Sequence, residues 1–456
     1  MITFEKMRQW IRQKLREFLS YGSANDVEIS AEMSAEISKW AKSYMQRAGK
    51  DSLLELPAAI SSEFARLITL EMNSSLSGSP RADYLNAQYQ NFLGGIRRQV
   101  EYACAKGGMV FKPYICDNKI FVDCVQNDCF YPTAFTASGE LVSAIFVDQI
   151  VRGSVIYTRL ESHDFAPPKY TITNKAYRSH NDNSLGTEIL LTEVPEWADI
   201  APSAEFSGLE HPLFAYFKIP SANNIDTSSP LGISVFSRAL PLIDEAEKQF
   251  ARMLWEFEGG EIAIFASDSA LKHDAAGGVH APKLRDRLIR MLDFGTDGEN
   301  SFHEFAPALR DASLINGFNA ILRRIEFNCN LAYGTLSDVQ QTDKTAEEVR
   351  ASKQRSYSAV ADMQKALQTA LEQLIYAMNV LCSTYNLAPS GKIESLFEWD
   401  DSLVTDRDKE FSQRMQLQTS CRLRPELNIA WYFGCSEEKA LEMMSQGNEA
   451  DDWGGA

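Results

Sequence analysis

The sequence predicts an α+β fold, mainly helical, with one β-rich region set among long helices. Three observations carry that reading. Apolar residues recur at three- and four-residue spacing through most of the chain. Between Met109 and about Leu191 the pattern changes to short β-prone runs separated by turn residues. From Thr335 to Ala388 neither glycine nor proline interrupts the sequence. The chain has 456 residues, 45% hydrophobic and 23% charged, enough for several domains with ordinary cores.

Residues 1–106 read as helical. In Met1–Leu19, Phe4, Met7, Trp10, Ile11, Leu15, Phe18 and Leu19 fall at helical spacing among Lys6, Arg8, Arg12, Lys14 and Arg16. That is an amphipathic helix docked on its own protein or a neighbour, with a membrane surface as the alternative. It lacks the uninterrupted apolar stretch of an export signal, so export is not expected. Ala24–Leu70 is rich in Ala, Glu, Lys and Leu, Ser74–Pro80 reads as a break, and a helix is expected from Tyr84 to about Ala105.

The β-prone runs are Met109–Ile115, Ile120–Val125, Leu141–Val147, Ser154–Leu160, Tyr170–Ala176 and Glu188–Thr192, with turn chemistry at Asp117-Asn118 and Ser138-Gly139. A polar loop, Asn223–Gly232, precedes a helical stretch carrying Phe236, Leu240, Ile243, Ala246, Phe250 and Phe257. Pro241 either starts or kinks that helix, and Gly259-Gly260 ends it. Residues 261–309 read as a mixed insert: a strand (Glu261–Ala266), a loop around Ala275–Gly278, a helix (Pro282–Leu292) and a further loop. A second helix is expected over Ala312–Leu331, then a polar loop, Gly334–Lys344. Thr345 and Glu348 fit a capping box that opens a helix from Ala346 to about Asn386, about 60 Å long and expected to span several neighbours or subunits. After Pro389 comes a small acidic, helical tail with Glu398, Asp400, Asp401, Asp406 and Asp408, and Ser445–Ala456 reads as disordered.

The net charge of −17 opposes a DNA-gripping surface, because such surfaces neutralise phosphates with basic side chains. Two readings stay open: acidity for solubility, or a surface past which DNA slides without sticking. The eight cysteines are too sparse for a disulfide scaffold. Cys104, Cys116, Cys124 and Cys129 cluster without zinc-knuckle spacing, so they read as buried free thiols on strands, with no metal and no cofactor expected. There is no phosphate-binding G-x-x-x-x-G-K-[ST] loop, no G-x-S-x-G and no H-E-x-x-H. Glu161 and His163 share a strand face, which makes them the candidates for an acid/base or metal site, although no third ligand stands at a recognisable spacing.

The order of these elements resembles the portal proteins of tailed bacteriophages, most closely those of siphophages with Gram-positive hosts. Pro230-Leu231-Gly232-Ile233-Ser234-Val235-Phe236 followed by Ile243-Asp244 is similar to the family's PLG-S-F segment before its first stem helix. Trp255–Ile262 resembles the exit of that helix into the clip. Leu331–Ser337 with Lys344–Val349 resembles the family's "LS-G-T … K-TATEV" stretch, and Tyr157–His163 and Tyr170–Asn174 resemble strands of its wing. Pro241 and Ala332-Tyr333 depart from the family pattern, which leaves the helix start and the shape of the loop open.

The resemblance spans residues 109–408 and implies a ring subunit, usually one of twelve. Its parts would be a wing (1–235, β-rich over about 109–192), a first stem helix (236–258), a clip (259–309), a second stem helix (310–333), a tunnel loop (334–344), a long wing helix (345–388) and a crown-like end (389–456). It implies passage of double-stranded DNA during packaging and ejection, with the large terminase subunit, a head-completion or adaptor protein, and major capsid and scaffolding proteins as partners. The setting would be the capsid vertex, and the host cytoplasm during assembly, with no membrane and no enzymatic activity. Thr335, Ser337, Gln340, Gln341, Thr342 and Lys344 are then expected to touch the duplex through its backbone. Asp244, Glu245, Glu247, Glu256 and Glu258 face either solvent or the bore. The alternatives are another capsid-associated minor head protein, or an enzyme using Glu161 and His163.

Overall fold

Ser30 opens the first helix of the computed structural model, which describes residues 29–46, 53–180, 185–259, 263–267, 272–273, 279–280, 288–291, 302–305, 310–338, 346–399, 407–420, 422–433 and 439–441. Its hydroxyl accepts the Met33 amide and so satisfies one donor that a helix N-terminus leaves unpaired. The helix, α1 (Ala31–Tyr44), buries Met33, Ile37, Trp40 and Ala41. In α2 (Leu56–Thr69), Pro57 occupies the first turn, where a missing amide is harmless, and Ile60, Phe64, Ala65 and Ile68 are buried. The amphipathic segment 1–19 and the terminal segment 445–456 lie outside the described residues.

Where the sequence suggested a break at 74–80, a strand forms: β1 (Met72–Ser77). Its partner is the strand Glu394–Trp399, more than 300 residues away, so no local pattern announces it. The single helix expected from Tyr84 is two, α3 (Pro80–Leu93) and α4 (Ile96–Lys106). Gly94-Gly95 divides them, glycine being the weakest helix former after proline. Gly107 then caps α4 at φ +89°, and a Cβ there would lie 2.4 Å from the Gly232 carbonyl oxygen. Two bare backbones thus touch, and the Val235 amide donates to the Cys104 carbonyl. This contact seats the Pro230-Leu231-Gly232 segment ahead of the next helix.

Strands β2 (Gly108–Cys116) and β3 (Lys119–Gln126) form a hairpin whose turn residues, Asp117 and Asn118, both adopt positive φ. β4 (Phe130–Phe135), β5 (Leu141–Arg152), β6 (Val155–Ala166), β7 (Lys169–Ser179) and β8 (Thr187–Ile189) follow as an antiparallel meander. β9 (Ser203–Ser207) returns to β7, and β10 (Ala215–Lys218) pairs with β2. Val110 of the β2 sheet packs with Phe130, Leu141, Ala144 and Phe146 of the meander. Three of these strands, β4, β9 and β10, lacked a sequence signal; Pro132 interrupts the first, and the last has only four residues. The thiols differ from expectation as well. Cys104 is buried but helical, Cys116 is exposed, and Cys124 and Cys129 are partly buried.

A 3₁₀ turn, Ser237–Ala239, leads into α5 (Leu240–Gly259), so Pro241 starts this helix rather than kinking it. Next come β11 (Ala263–Ser267), β12 (Lys272–His273), β13 (Val279–His280), β14 (Leu288–Met291) and β15 (Phe302–Phe305). β11 pairs in parallel with β14 and antiparallel with β15, while β12 pairs with β13. The helix expected over Pro282–Leu292 therefore contains a strand instead; a short apolar run fits either period, and pairing with β11 decides it.

Two helices follow, α6 (Asp311–Cys329) and α7 (Ala346–Thr384). At 39 residues α7 is about 58 Å long. Its stripe of Val360, Met363, Leu367, Leu371, Leu374, Met378 and Leu381 is buried by the chain's own α2, α3, β2 and β10. The helix thus spans several neighbouring elements of its own chain, as its length leads one to expect. Beyond α7, the Arg81 guanidinium donates to the carbonyls of Ala388 and Pro389, at 2.8 Å each.

Residues 71–74 and 397–456 form a second compact unit, separate from residues 1–70 and 75–396. Strand β16 (Glu394–Trp399) was not expected in the acidic tail; Asn73 donates to Glu398 across its pairing with β1. Beyond it, α8 (Arg407–Thr419) and α9 (Pro425–Phe433) pack through Arg414 over Trp431 and Phe411 against Tyr432.

Candidate functional site

Helices α5 and α6 run antiparallel, in a register set by three contacts. The Arg310 guanidinium grips Glu256 with two hydrogen bonds, 3.0 and 2.7 Å, and holds its carboxyl below the usual range. Phe250 meets Phe318 with ring centres 5.6 Å apart. At the other end the Asn328 side-chain amide donates to the Arg238 carbonyl.

Of the five acids read as lining a channel, three already have partners within the chain. Glu256 holds Arg310, and Glu247 accepts the amides of Leu53 and Leu54 at 2.9 and 3.1 Å, fixing the approach to α2. Glu245 accepts a hydrogen bond from Gln249 and pairs with Lys248, and both lower its carboxyl pKa. Asp244 and Glu258 are exposed.

The end of α6 builds a mount for the loop that follows. Asn330 takes the left-handed conformation that closes the helix, and Gly334 does the same four residues on. Between them the chain reverses onto Glu326, whose side chain is fully buried. One carboxylate oxygen accepts the amides of Gly334, Leu336 and Ser337 at 3.1, 2.6 and 2.9 Å, and the other accepts the Ser337 hydroxyl at 2.9 Å. Two turns earlier, Asn319 exchanges two hydrogen bonds with Asp338. A buried carboxylate demands such donors, and here the loop backbone supplies nearly all of them.

Thr335 is exposed, its hydroxyl donating to the Ala332 carbonyl at 2.6 Å. Ser337 is buried against Glu326, which removes it from the outward-facing set. Gln340, Gln341, Thr342 and Lys344 lie outside the described residues. Glu326 and Asn319 were not singled out in the sequence. The signal was there: Glu326 follows Leu322 by four residues, so an acid occupies a position on the buried stripe of α6.

Glu161 and His163 do come together, inside a network of β2, β6 and β7. The Glu161 carboxylate receives Lys112 at 2.8 Å, Arg159 at 3.0 Å and His163 Nε2 at 2.7 Å. Burial pushes this carboxyl pKa up, but Lys112, His163 and Arg159 outweigh burial and leave it well below its usual range. Burial also lowers His163, keeping the imidazole neutral, so Nε2–H donates to Glu161 and Nδ1 accepts the Tyr170 hydroxyl. Every strong acceptor here already faces a cation or a donor. The arrangement fastens strands; it leaves no free base.

A family model described as phage portal protein, SPP1 Gp6-like, matches residues 87–452. No curated protein matches the chain. The match takes in the β-rich region, the α5–α6 pair, its loop mount and α7, and on that extent the chain belongs to the SPP1 Gp6-like phage portal proteins.

Proposed function

We propose that this portal protein closes into a ring of twelve at one capsid vertex, with α5 and α6 as stem helices around a channel for double-stranded DNA. Residues 1–235 and α7 form the wing, 259–309 the clip, 334–344 the loop reaching into the channel, and 389–456 the crown-like end. Family membership already makes the chain a phage portal protein concerned with DNA packaging. The finer assignments are partners and roles: the large terminase subunit during packaging, a head-completion or adaptor protein afterwards, and major capsid and scaffolding proteins around the vertex. Assembly takes place in the cytoplasm of a Gram-positive host. The ATPase belongs to the terminase, and this chain acts as conduit rather than enzyme.

The observation that carries this reading is the loop mount. A buried carboxylate ties the backbone of Gly334, Leu336 and Ser337 to the end of the helix pair, which supports a fixed base for a channel loop. Thr335, Gln340, Gln341 and Thr342 offer neutral hydrogen-bonding groups and Lys344 one cation, a set suited to backbone contact without base readout. Ser337 supports the mount instead. Twelve copies at −17 each carry roughly 200 negative charges, a field that disfavours phosphate adhesion to the walls. Native mass spectrometry and negative-stain images of the purified protein test the ring. Deleting Gln340–Thr342 should leave rings intact while packaged DNA falls about tenfold; undiminished packaging would remove the loop assignment.

A further inference from the structure

At the C-terminal end of α6 lies a cleft of about 360 Å³, lined by Ala320, Arg323, Arg324, Phe327 and Tyr333. Arg355 of α7 stacks beside it, its guanidinium 4.6 Å from the Phe327 ring centre and 5.8 Å from that of Tyr333. Arg324 lies 5.1 Å from Phe327. Stacking on an aromatic face holds a guanidinium in place while leaving its N–H edges open to an anion. Among the described residues, none of Arg323, Arg324 and Arg355 hydrogen-bonds or pairs with a carboxylate, although the chain has 62 acidic residues to 45 basic ones. Phe327 and Tyr333 are 40% and 39% exposed. One place on the chain thus gathers three arginines beside two partly exposed aromatic rings.

The composition of the cleft separates its possible occupants. A duplex offers phosphates to the arginines but keeps its base faces stacked, so it would bury little of the exposed part of Phe327 and Tyr333. Arginine beside exposed aromatic rings is instead the make-up of a protein-binding hot spot. The occupant needs a carboxylate with an apolar flank, and the geometry points to a second copy of this chain, presenting the first turns of α5 with Asp244 as the anion.

This inference rests on the ring reading and says which surfaces close it. Rotation about a ring axis keeps every atom at its own height, so neighbours meet at equal levels when the helix pair runs along that axis. The three contacts between α5 and α6 fix the levels: Glu256 opposite Arg310, Phe250 opposite Phe318, and Arg238 opposite Asn328. Each step along one helix matches a step back along the other, which puts Arg323 level with Asp244. Asp244 is exposed and, among the described residues, pairs with no cation. Acid and arginines therefore share a level without meeting inside one chain. Such a pair is satisfied head to tail around a ring, one flank of each copy against the opposite flank of the next.

Charge exchange in the full-length protein tests this, read by native mass spectrometry with circular dichroism as a check on folding. R323E/R324E should lower the ring signal at least about tenfold, D244R should do the same, and the combined variant should regain rings. Undiminished rings in R323E/R324E, or no recovery in the combination, would overturn the proposal. Should R323E/R324E fail to fold, D244R, at an exposed position, decides alone: ring loss supports the socket and ring retention overturns it. Rings that persist in R323E/R324E but lose a duplex of about 30 base pairs at low salt would assign the arginines to phosphate, again overturning it. A wild-type protein that forms no rings would remove the ring reading itself, and the socket with it.

Discussion

Two carboxylates leave water in this chain, by opposite means. Glu161, 14% exposed, is surrounded by charged and ring partners from two strands: Lys112 of β2, and Arg159 and His163 of its own β6. Glu326, fully buried, meets among the described residues only backbone amides and one hydroxyl, all from the loop just beyond its own helix. The difference is what each leaves behind when it is lost. Without Glu161, two cations stay in place between strands that cannot move apart. Without Glu326, the amides belong to a loop that can loosen and turn them to water. One carboxylate secures the fold, and the other gives a loop its shape.

Glu161→Ala is the severest way to break that contrast. It takes the nearest carboxylate from Lys112 and Arg159, leaving them the half-exposed Asp123 at 3.8 Å and Asp148 at 3.5 Å, and removing one partner of a buried ion pair costs about 3–5 kcal/mol. Denaturant titration reads this as a lower midpoint at unchanged slope. A loss below about 1 kcal/mol would mean that water enters through the adjoining cleft, lined by Lys112, Asp148, Arg159 and Glu161, and the contrast would vanish. Glu326→Ala should cost less, about 2 kcal/mol, because the loop opens before the amides are left buried and unpaired. Hydrogen exchange should quicken at 334–338 and stay unchanged in β6 and β7. Equal quickening in both places would give Glu326 a global role and sink the distinction.

Acid sharpens the same comparison with a smaller effect. Burial holds His163 below its ordinary value of 6.5, so below that pH the unfolded chain takes up a proton that the folded chain refuses. The contribution is fully present above about pH 6.5 and is lost as pH falls. Glu161, also depressed, adds a further loss below its ordinary 4.5. His163→Gln should therefore be less stable than wild type near pH 7 yet lose less between about pH 7 and about pH 5, by roughly 1 kcal/mol. An identical pH slope in both proteins would show that His163 titrates normally when folded.

How far the sequence reached depended on how local the determinant was. Asp117-Asn118 announced its hairpin because a two-residue turn needs exactly that positive-φ chemistry in place, and the apolar stripe of α7 was legible because nothing breaks it. β1 was missed because its partner strand lies at the far end of the chain, and β14 because four apolar-rich residues serve either period. At the candidate site, Glu161 and His163 were legible as a pair two residues apart on one strand face, whereas Lys112, their main counter-charge, comes from another strand. Glu326 was hidden for a further reason: an acid near a helix end looks solvated until the returning loop is seen to cover it.

Asn319→Ala offers the gentlest test, on the same loop as Glu326. Asn319 both donates to and accepts from Asp338, so its loss removes two hydrogen bonds from the mount. Asp338 is exposed, however, and water replaces the lost partners on its side at little cost. The expected loss is at most about 1 kcal/mol, with faster exchange at the Asp338 amide alone and continued protection of Gly334, Leu336 and Ser337. If those three amides lost protection too, Asn319 and Glu326 would act as one unit, and the buried carboxylate would not suffice to hold the base of the loop.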